Sequence, residues 1–179
     1  MDSITRVMSF NVNGIRARLH QIEKVLEQHK PDILGLQEIK VSDEEFPVEA
    51  ITALGYNVDF FGQKGHYGVA LLSKVKATAV FRGFPSDDED AQRRMIHGKY
   101  LLNEKILHVI NGYFPQGESR KHPTKFPAKE KYYSDLTHYI SDAFTASDNV
   151  VVMGDMNIAA TDADVGIKPE NAKRWLQRG

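Results

Sequence analysis

Hydrophobic and polar positions follow two rhythms along this chain. Val7–Asn11 is a short apolar run ending in polar residues, the pattern of a buried strand. From Ile15 to His29 apolar residues recur at helical spacing (Ile15, Leu19, Ile22, Val25, Leu26), and Pro31 stops that helix. Asp32–Gln37 reads as a second buried strand. Strand, helix and strand in so short a stretch form a βαβ unit, which predicts a parallel pair with a right-handed crossover. Ser42 followed by Glu45 suggests a capping box opening a helix that ends near Gly55. Tyr56–Phe61, Val69–Ser73 and Ala77–Arg82 then read as an antiparallel meander. Met95–Leu102 and Ile106–Tyr113 form another pair, turning near Asn103 and Glu104. A loop holding Pro115, Pro123 and Pro127 leads into a helix over Pro127–Phe144, then a strand over Asn149–Met153 and a short helix over Pro169–Arg178.

Composition narrows the class. With 41% hydrophobic and 26% charged residues in 179, the chain is an ordinary globular one, with a single domain over 1–179 as the simplest partition. No apolar run is long enough to cross a bilayer, so no membrane partner is expected. The amino terminus shows no basic segment leading into an apolar stretch, and there are no cysteines. Disulfides, thiolate zinc sites and cysteine nucleophiles are thereby excluded, and a cytoplasmic location is the expectation. A net charge of −1 means that an anionic partner must be held by a local patch. Gln116–Lys131 offers one, with Arg120, Lys121, Lys125, Lys129 and Lys131 against only Glu118 and Glu130. Taken alone, such a run reads as a solvated loop.

Polar groups recur at one kind of place, the carboxyl end of an apolar strand: Asn11, Glu38, Tyr113, and Asp155 with Asn157. In open α/β sheets sites form there. Glu38 and Asp155, with amide oxygens from Asn11 and Asn157, make an all-oxygen set suited to Mg²⁺ or Mn²⁺. Singly, each residue is as well explained as a helix cap or surface charge.

Ser9–Ala17, Leu36–Lys40, Gly62–Ala70, Gln92–Arg94, Ile110–Gly117, Gly154–Asn157 and Asn171–Leu176 together resemble the exonuclease III family of DNA repair nucleases, within the endonuclease/exonuclease/phosphatase superfamily. The resemblance runs in order along the whole chain, and is closer to the bacterial branch than to the phosphoinositide or sphingomyelin phosphatases. It implies a DNase I-like four-layer α/β sandwich that hydrolyses duplex DNA with a metal ion, acting at 3′ ends, abasic sites and 3′-phosphates. By the same resemblance Glu38 is the principal metal ligand with Asn11 near it. Tyr113 contacts phosphate, Asp155 activates water, and Asn157 positions substrate or stabilises the transition state. Arg94, Gln116, Arg120 and Lys125 touch the DNA backbone, which raises the basic loop above a mere solvated run.

Family members continue past the point where this chain stops, into the rest of the second sheet, a further Asp and a Ser-Asp-His signature. None of His20, His29, His66, His97, His108, His122 and His138 matches that signature. The expectation is therefore a chain truncated at its carboxyl end, weakly active or inactive alone, with an exposed apolar surface favouring dimerisation. A phosphatase on the same fold and a catalytically dead DNA-binding fragment are the alternatives.

Overall fold

The computed structural model describes residues 4–159 together with Thr161, Asp164 and Gly166. Strand β1 (Val7–Asn11) leads through a 3₁₀ turn (Arg16–Arg18) into helix α1 (Leu19–His29) and strand β2 (Ile33–Gln37). β1 and β2 are parallel, Val7 opposite Ile33 and Asn11 opposite Gln37, as a βαβ unit requires. Lys30 ends α1 in the left-handed conformation, its N–H donating to Leu26, and Pro31 forbids a further turn.

The helix expected from Ser42 to Gly55 is instead a 3₁₀ turn (Asp43–Glu45) and a five-residue helix α2 (Val48–Thr52). Pro47 divides them: it lacks an N–H and holds Phe46 extended at ψ 130. The capping box does not form, since Ser42 faces acidic side chains, Glu45 Oε2 at 3.4 Å, and caps no backbone N–H.

β3 (Asn57–Phe61) and β4 (Val69–Ser73) are antiparallel, and β4 also pairs antiparallel with β2, giving the order β1-β2-β4-β3. This overturns the three-strand meander. With β2 and β3 on its two edges β4 has no edge left, so β5 (Ala79–Arg82) pairs instead with β6 (Met95–Leu102) in a second sheet. β6 turns through Asn103 and Glu104, both at positive φ, into antiparallel β7 (Lys105–Tyr113). Helix α3 (Lys125–Ala143) then crosses to β8 (Asn149–Asp155), parallel to β7, and the second sheet reads β5-β6-β7-β8 among the described residues. α3 starts before Pro127, which falls in the first turn where its missing N–H costs nothing. The helix expected over residues 169–178 lies outside the described residues.

Three hydrophobic clusters mark three interfaces, and hence four layers. Ile22 and Leu26 of α1 and Ile51 of α2 pack with Leu34, Leu36, Ala70 and Leu72 on one face of the first sheet. Ile33, Val69 and Leu71, on its other face, meet Ile96, Tyr100, Val109 and Met153 of the second sheet. Tyr132 and Leu136 of α3 close over Met95 and Ile110. All five residues of β2 are buried, because both faces of its sheet are covered. Gly35 is required in β2: a Cβ there would lie 2.5 Å from the Met153 side chain and 2.8 Å from Asn111.

Candidate active site

The two parallel pairs deliver their carboxyl ends to one place. Asn11 is the last residue of β1, Glu38 follows β2, and Tyr113 and Asp155 end β7 and β8 directly opposite each other. β8 runs two residues beyond the strand read from the sequence, so Asp155 belongs to the ladder. Its approach to β7 is unusually close: a Cβ on Gly154, at φ +144, would lie 1.9 Å from the Gly112 carbonyl oxygen. Only glycine fits there.

Asn11 joins the sheets. Its Nδ2 donates to Glu38 Oε1 and to Asp155 Oδ2, 2.8 Å each, while its Oδ1 accepts the Asn13 N–H at 3.0 Å. Two carboxylates on one side and an N–H on the other leave the amide a single sensible orientation. The oxygen expected as a metal ligand is therefore turned away, and Asn11 serves as the bridge between the carboxylates. Glu38 and Asp155, distant in the chain, share this one amide, so their oxygens lie no farther apart than twice 2.8 Å.

Lys40 Nζ lies 2.8 Å from Glu38 Oε2. Burial alone would raise the Glu38 pKa, but hydrogen bonds from Lys40 and Asn11, the nearby Tyr113 hydroxyl and the Lys40 charge together hold it below its ordinary value. Glu38 is thus a carboxylate at neutral pH. Burial, and next the adjacent Glu38 carboxylate, push the Tyr113 phenol up to about 12, so it stays a hydrogen-bond donor.

Asn157 takes the left-handed conformation (φ 49), donating its N–H to Asp155 Oδ1 at 3.2 Å and its Nδ2 to the Phe114 carbonyl at 2.8 Å. Lys129 from α3 secures the same turn, with Nζ 2.7 Å from the Asn157 carbonyl. Non-glycine residues at positive φ gather here: Asn13, Glu38, Lys40, Tyr67 and Asn157. Each carries on the order of 1–3 kcal/mol of strain, a cost usually found where function imposes a geometry.

Arg94, preceding β6, is half-buried. Its guanidinium lies 4.2 Å from the Tyr67 ring and 4.7 Å from the Tyr113 ring, with Nη1 on the Tyr113 carbonyl. Gln116 and Arg120 are exposed on the loop after β7, and Lys125, also exposed, pairs with Glu118. Among the described residues none of these three side chains bonds Glu38 or Asp155.

Several contributing residues carried no separate signal. Asn111 and Gln37 are buried between the sheets just before Tyr113 and Glu38, and Asn111 Oδ1 accepts from Gln37 Nε2 at 2.6 Å. An amide inside each of two apolar runs was the available clue. Tyr67, Lys40 and Lys129 had none beyond their motifs or charge.

Residues 8–177 match the Endonuclease/Exonuclease/phosphatase family. The chain belongs to that family. This family member is 56% identical over 174 residues to the exodeoxyribonuclease III of Haemophilus influenzae, covering 97% of the chain and 65% of that relative. It resembles the solved AP endonuclease of Archaeoglobus fulgidus with a TM-score of 0.84 at 35% identity, over 95% of the chain and 63% of that structure. A Neisseria 3′ phosphatase bound to product DNA hairpin matches with a TM-score of 0.82 at 32% identity, over 98% and 70%. The family member thus spans just under two-thirds of the first two. Its two sheets and outer helices are the DNase I-like α/β fold of these neighbours. Among the described residues no helix is long and apolar enough to cross a membrane.

Proposed function

We propose that this chain is a divalent-metal-dependent DNA phosphodiesterase of the exonuclease III kind, acting on duplex DNA at 3′ ends, abasic sites and 3′-phosphates. One observation carries the reading: Asn11 holds Glu38 and Asp155, from different sheets, in a single oxygen-rich cluster. Hydrolysis of a phosphodiester requires charge neutralisation on the phosphate, a proton acceptor for water and donors where charge grows. The cluster supplies the carboxylates and a phenol donor, and a cation bound to it would supply the neutralisation.

The donor set fits a hard cation. Glu38 and Asp155 supply two carboxylates, and the Asn157 side-chain oxygen makes no hydrogen bond among the described residues. Mg²⁺ or Mn²⁺ held there would neutralise the phosphate and stabilise the leaving oxygen. Asp155 takes the proton of the attacking water. The Tyr113 hydroxyl, protonated at any working pH, donates to a phosphate oxygen, and Asn157 fixes the reacting group beside it. Gln116, Arg120 and Lys125 contact the DNA backbone on one flank.

The test is cleavage of abasic and nicked duplexes with Mg²⁺ or Mn²⁺, alongside Mn²⁺ binding followed by paramagnetic resonance. Glu38→Gln is expected to abolish both Mn²⁺ binding and cleavage. Metal-independent cleavage, or Mn²⁺ binding indifferent to Glu38→Gln, overturns the reading. Salt-sensitive DNA binding with no cleavage under any metal favours a binding module instead.

A further inference from the structure

The geometry points to Arg94 as a positioning residue that acts through Tyr113, its guanidinium packed against both the Tyr67 and Tyr113 rings and fixing the phenol ring against Glu38. Six contacts made by Arg94 fasten these groups. The guanidinium carbon lies 4.2 Å from the Tyr67 ring centre and 4.7 Å from that of Tyr113, and the two centres are 6.4 Å apart, so the rings meet it from two adjacent sides. Nη1 donates to the Tyr113 carbonyl at 2.9 Å, and Nε donates to Gln92 Oε1 at 2.7 Å. The Arg94 carbonyl accepts the Tyr113 N–H at 2.8 Å and the Tyr132 hydroxyl at 3.2 Å. Arg94 thus grips Tyr113 by ring, carbonyl and N–H together.

This cluster also spans the two sheets. Tyr67 lies just before β4 of the first sheet, and its carbonyl accepts the Lys40 N–H at 3.0 Å, two residues from Glu38. Arg94 and Tyr113 flank β6 and β7 of the second. Glu38 and Tyr113 therefore come from different sheets, and the Tyr67–Arg94–Tyr113 contacts tie them on one rim as Asn11 ties Glu38 to Asp155. A planar guanidinium rests against aromatic rings while its forked donors bond in fixed directions; a compact ammonium offers no such fork.

A residue whose main work is gripping phosphate loses ground-state affinity when removed, and lowers the salt slope by about one. A positioning residue lowers turnover instead. Arg94→Gln is expected to keep duplex affinity within about twofold with an unchanged salt slope, while kcat falls on the order of 10²-fold, the scale for one misplaced transition-state donor. Arg94→Lys is expected to behave like Arg94→Gln. The turnover arm rests on the function proposed above.

A second readout does not. With 3-fluorotyrosine incorporated and the Tyr113 resonance assigned by its loss in Tyr113→Phe, the native chain should give one sharp fluorine signal for that ring. Arg94→Gln, and more mildly Tyr67→Leu, should shift and broaden it. An unchanged Tyr113 signal overturns the inference, as does a tenfold loss of affinity with intact kcat or full rescue by lysine. Should no variant or native protein cleave DNA, the proposed function fails and the fluorine signal still decides the role of Arg94. Tyr67→Leu supplies that signal if Arg94→Gln does not fold.

Discussion

Asn111 offers the sharpest test of how the site is held together. Its side chain is fully buried between the sheets, and every polar atom is used. Nδ2 donates to the carbonyls of Leu36 and Ala70, 2.9 Å each, on paired strands β2 and β4, and Oδ1 accepts from Gln37 at 2.6 Å. Asn111→Ala removes all three bonds. Gln37 keeps Ser9 Oγ at 3.1 Å and the Gly35 carbonyl at 3.2 Å, so its amide is not stranded. The two carbonyls each lose a donor in a dry interface. At about 1 kcal/mol per bond, with a similar scatter on the sum, the loss is about 2–4 kcal/mol. For a chain of this size that corresponds to a melting shift of roughly 5–15 °C downward. Asn111→Leu restores volume but leaves the carbonyls bare, so it should recover little. Asn111→Asp points a carboxylate at two carbonyl oxygens and should be worse than alanine near neutral pH. Urea unfolding and thermal melts by circular dichroism measure all three. A drop under roughly 2 °C for Asn111→Ala, or a leucine variant as stable as the native chain, would refute the reasoning that this amide network stabilises the sheet pairing.

Other consequences can be checked as directly. Gly154→Ala places a methyl 1.9 Å from the Gly112 carbonyl oxygen at φ +144, so it should cost at least about 2–3 kcal/mol or block folding, read as lost soluble yield or a lowered melt. Buried His97, with Nδ1 2.7 Å from the Tyr139 hydroxyl and Nε2 2.9 Å from His108, has its pKa pushed down to about 4 by burial, and further by His108 and Lys99. Because the unfolded chain binds this proton first, the stability is complete above about pH 6.5 and drains away toward pH 4, on the order of 3 kcal/mol in all. His97→Gln should flatten that stretch of the pH–stability curve, and an unchanged slope would show that other groups set it. Asp155→Asn should lower cleavage about 10²–10⁴-fold, as loss of a proton acceptor does, and turnover within tenfold of native would remove Asp155 from that role.

Much of the fold was written locally. The apolar runs at Val7–Asn11, Asp32–Gln37 and Val150–Met153, and the helical spacing of Ile22, Val25 and Leu26, encode their elements through side-chain periodicity alone. Prolines and the Asn103-Glu104 turn marked most boundaries, since ring closure and positive φ are properties of one or two residues. The parallel pairs followed from helical crossovers, and so the sequence alone collects the strand-end residues on one edge. Partner choice could not be read this way. That β4 takes β2 and β3, sending β5 to the other sheet, depends on which edges are already occupied, a fact about the assembled sheet. Orientation was equally hidden: Asn11 as a bridging donor, Arg94 packed against two tyrosines and Asn111 locking the sheets each depend on groups tens of residues away. Spacing names which polar groups reach one edge; only packing settles which atom each of them presents, because a hydrogen bond is chosen by its neighbours in space.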